Sequence, residues 1–492
     1  MALAAAVWGT AAAVEYHRLG LTLAHYDARA HLVVARRVFD SLTPGWQQVG
    51  AVWLPLPHLL NALPVQFDLL YRSGFSGVAI SVASTAVAAG AIAWLIQRAT
   101  GSIVGGIVAA ALLMLSPDVL YLQSTPMSEP LLFGTTFLAL ALVARWVAET
   151  PRDRREQRSG AASTTAPGWA LVAACLTRYE AWPVTVAALA LACAGLLRRG
   201  WRLPEALRAV RGLALWPVWA GAAFLVNSKV TVGAWFVSSG FFVADNPARR
   251  DAWLAWTQVW DGLLQLTGSA LPWMACVSGV GILVAFARSR DRAPLILLLA
   301  LAACAALPWS AYLQGHPVRL RYDVPLVAAA AAIVGAGVAL LPRQVRLFAG
   351  AAIVAVAVWQ APPFDQHAAV IVESQRDARN TAGRDAVTAY LRSHWNGEPI
   401  MMSMGSLGHY MHDLSTAGFR VRDFLHEGNG EIWKYALGHP QPFVDWIAVE
   451  EQAEGGDVLC QQGRLDPRFF GGYERVAEGG GVALYRKVRY RR

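Results

Sequence analysis

Long apolar runs separated by short polar loops fill most of the chain, and they show neither the alternation of a strand nor the polar stripe of a surface helix. At roughly 20 apolar residues per crossing, about eleven membrane helices are predicted. They lie near 2–22, 75–97, 102–118, 127–148, 168–178, 181–197, 213–229, 270–287, 293–309, 323–341 and 347–361. The fifth is too short to cross alone and should be broken or tilted. The N-terminal run lacks a basic leader and a small-residue cleavage pattern, so it is read as the first span and not as a cleaved signal.

One stretch departs from this pattern. Between His25 and Leu60, Asp27, Arg29, His31, Arg36, Arg37 and Asp40 crowd the first half, and Pro44, Pro55 and Pro57 punctuate the second. Trp46, Trp53 and many Leu and Val residues accompany them. Apolar faces interleaved with charge suit a segment lying at a membrane surface. A second change comes at about Pro362, where charge rises and turn residues return. Helical spacing over 377–394 and 406–414, with short strand-like runs at 399–404, 443–449 and 482–488, predicts a small α/β domain. The expected layout is therefore a membrane module, 1–361, whose first exterior loop is 25–74, followed by an extramembrane domain, 362–492.

Charge adds sidedness. The chain is 55% hydrophobic and only 15% charged, with a net charge of +9. Its arginines gather in short loops: Arg152, Arg154, Arg155 and Arg158; Arg198, Arg199, Arg202, Arg208 and Arg211; Arg288, Arg290 and Arg292; Arg343 and Arg346. Those loops read as cytoplasmic, which excludes nucleic-acid binding as the reason for the basic balance. With the N-terminus inside, parity then places 25–74, 119–126, 230–269, 310–322 and the tail outside. Cys175, Cys193, Cys276 and Cys304 fall in apolar runs and Cys460 stands alone in the tail, so neither a disulfide framework nor a metal-type spacing is present.

Candidate chemistry lies on that outer face. Asp27 sits where the first span leaves the bilayer, a depth at which a lipid-facing carboxylate costs up to ~3 kcal/mol, so it should face a cavity or a partner. His31 follows one helical turn later. The two could hold a divalent cation, or His31 could position an acceptor; equally, Asp27 could simply cap an interfacial helix. Glu129 is presented between Pro126 and Pro130 in TPMSEP, which also reads as a helix start capped by Ser128. Arg178 and Glu180 interrupt apolar sequence in LTRYEAW, and His316, Arg319, Arg321, Tyr322 and Asp323 cluster before the tenth span. Those arginines could pair locally or meet an anionic headgroup, since the guanidinium fork matches phosphate oxygens. No Walker loop, dinucleotide fingerprint, HExxH or GxSxG is present. A transporter of a lipid-linked substrate and a non-catalytic assembly protein are the rival classes.

Taken in order, YDARAH in the first exterior loop, TPMSEP, LTRYEAW and RLRYDVP resemble the GT-C superfamily of glycosyltransferases, in its protein O-mannosyltransferase and aminoarabinose-transferase branch. The resemblance covers roughly residues 1–345. It implies a polytopic α-helical membrane protein with a C-terminal extracytoplasmic α/β domain, multi-pass in the plasma or inner membrane. The implied activity transfers a sugar, with inversion, from a polyprenyl-phosphate donor to a protein, lipid or glycan acceptor on the extracytoplasmic side. Asp27 takes the role of general base, and Glu129 that of the second acidic position, which in relatives binds acceptor or metal. Arg321 with Tyr322 meets the lipid phosphate, with Arg178 a further contact. His31, His58 and Glu180 complete the expected substrate-binding set. Many relatives have paired acids where this chain has Asp27 and Ala28, and His31 could fill the vacancy.

Overall fold

The structure is a computed structural model and describes residues 1–151, 162–237, 246–452 and 455–488. The arginine-rich loop of Arg152, Arg154, Arg155 and Arg158 lies outside the described residues. Among the described residues, seven helices are long and apolar enough to cross a membrane, or eight if one bent pair counts as a single span. The protein is a mostly helical, multi-pass membrane protein with one small sheet.

Every segment expected to span is helical, but four do not meet the full length or apolarity of a straight crossing. Ala2–Arg18 ends at His17 and Arg18, Thr165–Cys175 is eleven residues long, and Arg343–Gln360 opens on Arg343 and Arg346. The run expected at 102–118 bends by 72° between Ile103–Leu115 and Pro117–Gln123. Its cause is local. Proline excludes the helical conformation from the residue before it, and Ser116 is extended there, with ψ 124°. One element inside an expected loop was not foreseen as regular structure, the amphipathic helix Ala252–Thr267, and the helix Ala306–Leu313 carries the expected ninth span beyond its predicted end at 309.

The chain forms two compact units. The first comprises Met1–Leu19, Val78–Val226 and Ser238–Glu373. Small residues let its helices approach closely. A Cβ added at Gly105 would stand 2.6 Å from the carbonyl oxygen of Gly335, so Ile103–Leu115 and Val324–Leu340 touch backbone to backbone. Lipid tails give apolar helices no reason to associate, and such contacts, with their dense van der Waals packing, hold a bundle together.

The second unit comprises Gly20–Gly77, Asn227–Val237 and Ser374–Arg492. Its sheet has strands β1 (Ile400–Met402), β2 (Phe424–Leu425), β3 (Trp446–Glu450), β4 (Tyr473–Gly479) and β5 (Val482–Lys487), in the order β2-β1-β3-β5-β4. β1 runs parallel to β2 and β3, while β5 runs antiparallel to β3 and β4. Against it packs the helix Tyr26–Arg36 from the polar stretch. Leu32 and Val33, with Val65 and Tyr71, share one core with Leu407, Tyr410, Met411, Phe424 and Trp446. This explains the mixed composition of that helix: Leu32, Val33, Val34 and Ala35 face protein, and Arg29 and Arg36 pair with acids. Arg36 donates to Asp40 at 3.0 Å and Asp68 at 2.7 Å and lies 4.4 Å over the Tyr71 ring. Leu59, Leu60, Leu63, Phe67 and Leu69 stay exposed on the short helices that follow, an apolar edge of the kind that sits among headgroups.

Candidate functional site

In the first unit, three separate stretches bring four charges together. The helix Glu129–Glu149 begins at Glu129, with Pro130 in its first turn. Thr177–Glu180 links the short helix Thr165–Cys175 to Ala181–Arg198, and Arg321 lies on the turn Leu320–Asp323 before Val324–Leu340. Arg178 Nη1 stands 3.0 Å from Glu129 Oε1, and its Nε and Nη2 fork onto Glu180 at 3.0 and 2.7 Å. Arg321 Nη1 approaches the same Glu129 oxygen at 3.5 Å, and its guanidinium lies 5.1 Å from the Tyr322 ring centre. Glu129 and Glu180 are essentially inaccessible to solvent.

Ser128 occupies the expected capping position, yet its hydroxyl caps nothing; it accepts a hydrogen bond from Arg178 at 2.9 Å. Asp323, the other acid considered as a partner for Arg321, instead accepts from the Tyr312 hydroxyl at 3.3 Å. Two carboxylates and two guanidiniums balance in charge. That balance makes their burial tolerable, since each unpaired ion would cost several kcal/mol. Burial alone would favour loss of the proton from Arg178; Glu129 and Glu180 outweigh it and hold the guanidinium above its ordinary value. Elsewhere in this unit a small apolar cleft is lined by Leu112, Leu115, Leu266, Leu271, Val327 and Val354.

Asp27, His31 and His58 lie in the second unit. Asp27 is buried in the first turn of Tyr26–Arg36, with 7% of its surface exposed. It is not the cap: the ring of His25 takes that place and accepts from the Asp27 backbone N–H at 3.1 Å. His31 lies one turn along, but its Nδ1 is 2.9 Å from His58 Nε2, so one ring donates to the other. Both stand beside Trp53, with ring centres 4.1 and 5.7 Å away. Among the described residues no group of three or more His, Cys, Asp or Glu side chains gathers to hold a metal ion.

The buried histidines of this unit give it a pH dependence. Burial, with Arg37 nearby, pushes His58 down to about 3. Burial with Arg384 close by does the same to His409, also to about 3, and burial with Arg37 holds His426 well below the ordinary imidazole value. Each ring is neutral in the folded protein at pH values where an unfolded histidine, pKa about 6.5, is protonated. Depressed folded values mean that this stability is present above pH ~6.5 and is lost as pH falls from there toward 3. Each ring contributes a slope of up to ~1.4 kcal/mol per pH unit. Thermal unfolding followed from pH 7 to pH 5 should show a falling midpoint, and His58→Gln should flatten the slope.

No known family model matches the chain, and no curated protein matches it significantly. Among solved structures it is similar to ArnT from Cupriavidus metallidurans bound to undecaprenyl phosphate. That match covers 98% of both chains at 14% identity, with a TM-score of 0.56. The chain shares the fold of that structure. ArnT in the apo state matches over 96% of this chain and 97% of its own at 13% identity, with a TM-score of 0.43. The oligosaccharyltransferase AglB from Archaeoglobus fulgidus, in complex with an inhibitory peptide and a dolichol-phosphate, matches over 99% of this chain and 74% of its own. Its identity is 12% and its TM-score 0.49. The likeness in fold rests on the liganded ArnT structure.

Of the expected residues, Glu129, Arg178, Glu180, Arg321 and Tyr322 come together in the first unit, and Asp27, His31 and His58 belong to the second. Sequence reasoning missed Ser128 as a partner of Arg178, Trp53 as the wall beside both histidines, and the acids that hold Arg29. A cap-type serine and a belt-type tryptophan have bland roles that mask such contacts.

Proposed function

We propose that this chain is an integral-membrane glycosyltransferase that moves a sugar from a polyprenyl-phosphate donor to an acceptor hydroxyl on the extracytoplasmic side. The observation that carries the reading is the convergence of two buried guanidiniums, Arg178 and Arg321, on Glu129 in a GT-C-type helical unit. Its counterpart among solved structures is described as bound to undecaprenyl phosphate. A guanidinium fork matches the geometry of phosphate oxygens, and two of them meet at Glu129.

In this mechanism the acceptor oxygen attacks the anomeric carbon as the bond from that carbon to the phosphate oxygen breaks. The acceptor proton passes to the Asp27 carboxylate, and the lipid phosphate leaves as a dianion stabilised by Arg321, with Arg178 fixing Glu129 behind it. Attack opposite to the leaving phosphate inverts the anomeric centre. The gathering of arginines in short loops is what argues for this sidedness.

Arg321 stands farther from Glu129 than Arg178 does, 3.5 against 3.0 Å, so its loss should impair donor handling more than folding. Hydrogen bonds to charged groups contribute ~1.5–3 kcal/mol. Arg321→Ala should therefore raise the KM for the donor by about tenfold to a hundredfold, and Arg321→Lys should recover part of it. The check is transfer by purified protein from a panel of polyprenyl-phosphate sugars. No transfer from any of them, or an Arg321→Ala variant with unchanged donor KM, would overturn the reading.

A further inference from the structure

The helix that carries Asp27 is tied at its first turn by a buried ladder of charges. Arg29, two positions after Asp27, is itself buried; it donates to Asp413 at 2.6 Å through Nη1 and to Asp377 at 3.3 Å through Nη2. Asp377 is shared with Arg384 at 3.2 Å, and Arg384 continues to Glu450 at 3.4 Å and to the carbonyl of Gly480 at 3.1 Å. Arg384 Nη1 also lies 2.7 Å from His409 Nε2. A guanidinium can only donate, so that nitrogen accepts and the ring is neutral, with its proton on Nδ1. Tyr26, the residue immediately before Asp27, has its ring against His409 with centres 6.1 Å apart. Tyr26 and Arg29, on either side of Asp27 in sequence, are therefore both tied to this network.

The tie has a physical use. Tyr26–Arg36 has eleven residues, a length that is marginal without tertiary support, and its cap is a single histidine ring. Its first turn would fray if nothing else held it. At its other end the helix is held by different ion pairs: Arg36 reaches Asp40 and Asp68, and the half-exposed Arg422 reaches Asp40 at 2.7 Å. The ladder lies at the end that carries Asp27.

We propose that Arg29 is the positioning residue for Asp27: the ladder Asp413–Arg29–Asp377–Arg384–Glu450 holds the first helical turn so that the Asp27 carboxylate stays aligned with the acceptor hydroxyl. This rests on Asp27 being the general base. It gives residues 374–492 a part in the reaction, as the source of four of the five ladder residues. A base displaced by about 1 Å can cost on the order of a hundredfold in rate, whereas substrate binding that does not involve the base is untouched.

The test compares steady-state kinetics of full-length variants on the polyprenyl-phosphate sugar that the wild type turns over. Arg29→Ala should lower kcat about tenfold to a hundredfold with the donor KM within about twofold of wild type. Arg29→Lys, which keeps the charge but cannot fork onto two carboxylates, should fall between them. Arg422→Ala breaks a tie between the same two segments at the far end of the helix and should keep wild-type kcat. Asp413→Asn added to Arg29→Ala should cost nothing more, because both act through one contact.

Wild-type kcat in Arg29→Ala, or equal losses in Arg29→Ala and Arg422→Ala, would overturn the proposal. If Arg29→Ala does not fold, Arg29→Lys and Asp413→Asn alone decide it by the same split between kcat and KM. Asp27→Asn separates the two levels. A fully active Asp27→Asn removes the base reading itself, whereas an inactive one beside a fully active Arg29→Ala leaves the base in place and removes only the positioning role.

Discussion

Asp27→Asn should lower turnover by about a hundredfold to ten-thousandfold, the usual worth of a positioned general base. The substitution changes no volume and keeps the side chain polar, so the helix Tyr26–Arg36, whose cap is His25 and not Asp27, should form as before. What disappears is the capacity to take the acceptor proton as the new glycosidic bond forms. The donor KM should stay within about twofold, because Arg321 and not Asp27 is assigned to the phosphate. Asp27→Glu should restore part of the rate, since it returns the carboxylate about one methylene out of place. Steady-state transfer by the three proteins, with thermal unfolding as a control for folding, reads the outcome. An Asp27→Asn variant within about threefold of wild type would mean that the base lies elsewhere.

The second large effect falls on stability. Arg178→Ala should destabilise the first unit by ~3–5 kcal/mol, the cost of removing one partner from a buried ionic cluster. Glu129 and Glu180 would be left buried with their main cation gone, because Arg178 contacts both at 3.0 Å or less while Arg321 stands 3.5 Å from Glu129. Lower yield from membranes and a reduced midpoint of thermal unfolding in detergent are the expected readings. Adding Glu180→Gln should recover a large part of the loss by removing the stranded charge. Arg321→Ala should lower the midpoint much less while raising the donor KM. Equal midpoints for Arg178→Ala and wild type would show that the cluster is not held by this arginine.

Much of the architecture was readable before any coordinates, for a reason specific to membranes. A lipid environment demands long apolar helices, so composition alone exposes them, and each segment expected to span is helical. Where the reading differed, a short-range effect intervened, as at Pro117, where one proline turns an expected span through 72°. The tail was legible in part. β1, β3 and β5 lie where short apolar runs were noted, but β2 is two residues long and β4 is largely polar, so neither carries a hydrophobic signature.

The site divides in the same way. Arg178 and Glu180 are two residues apart and their fork is a local event that spacing can suggest. Glu129 and Arg321 are far from both in sequence, and only the packing of three helical segments brings them onto one another. Asp27 stood out because a carboxylate at the end of an apolar run is costly. Arg29 did not, because an arginine in a polar stretch has an inexpensive explanation in solvent.

The sequence by itself determined that this is a membrane protein, which segments are helical, and which acids and arginines interrupt apolar surroundings, because hydrophobic patterning and charge cost are properties of local composition. Only the tertiary structure decided which charge answers which: that Glu129 serves two arginines, that His31 turns to His58, and that Arg29 is held by Asp377 and Asp413. Pairing inside a protein depends on distances of a few ångströms between residues far apart along the chain, and these exist only once the helices have packed.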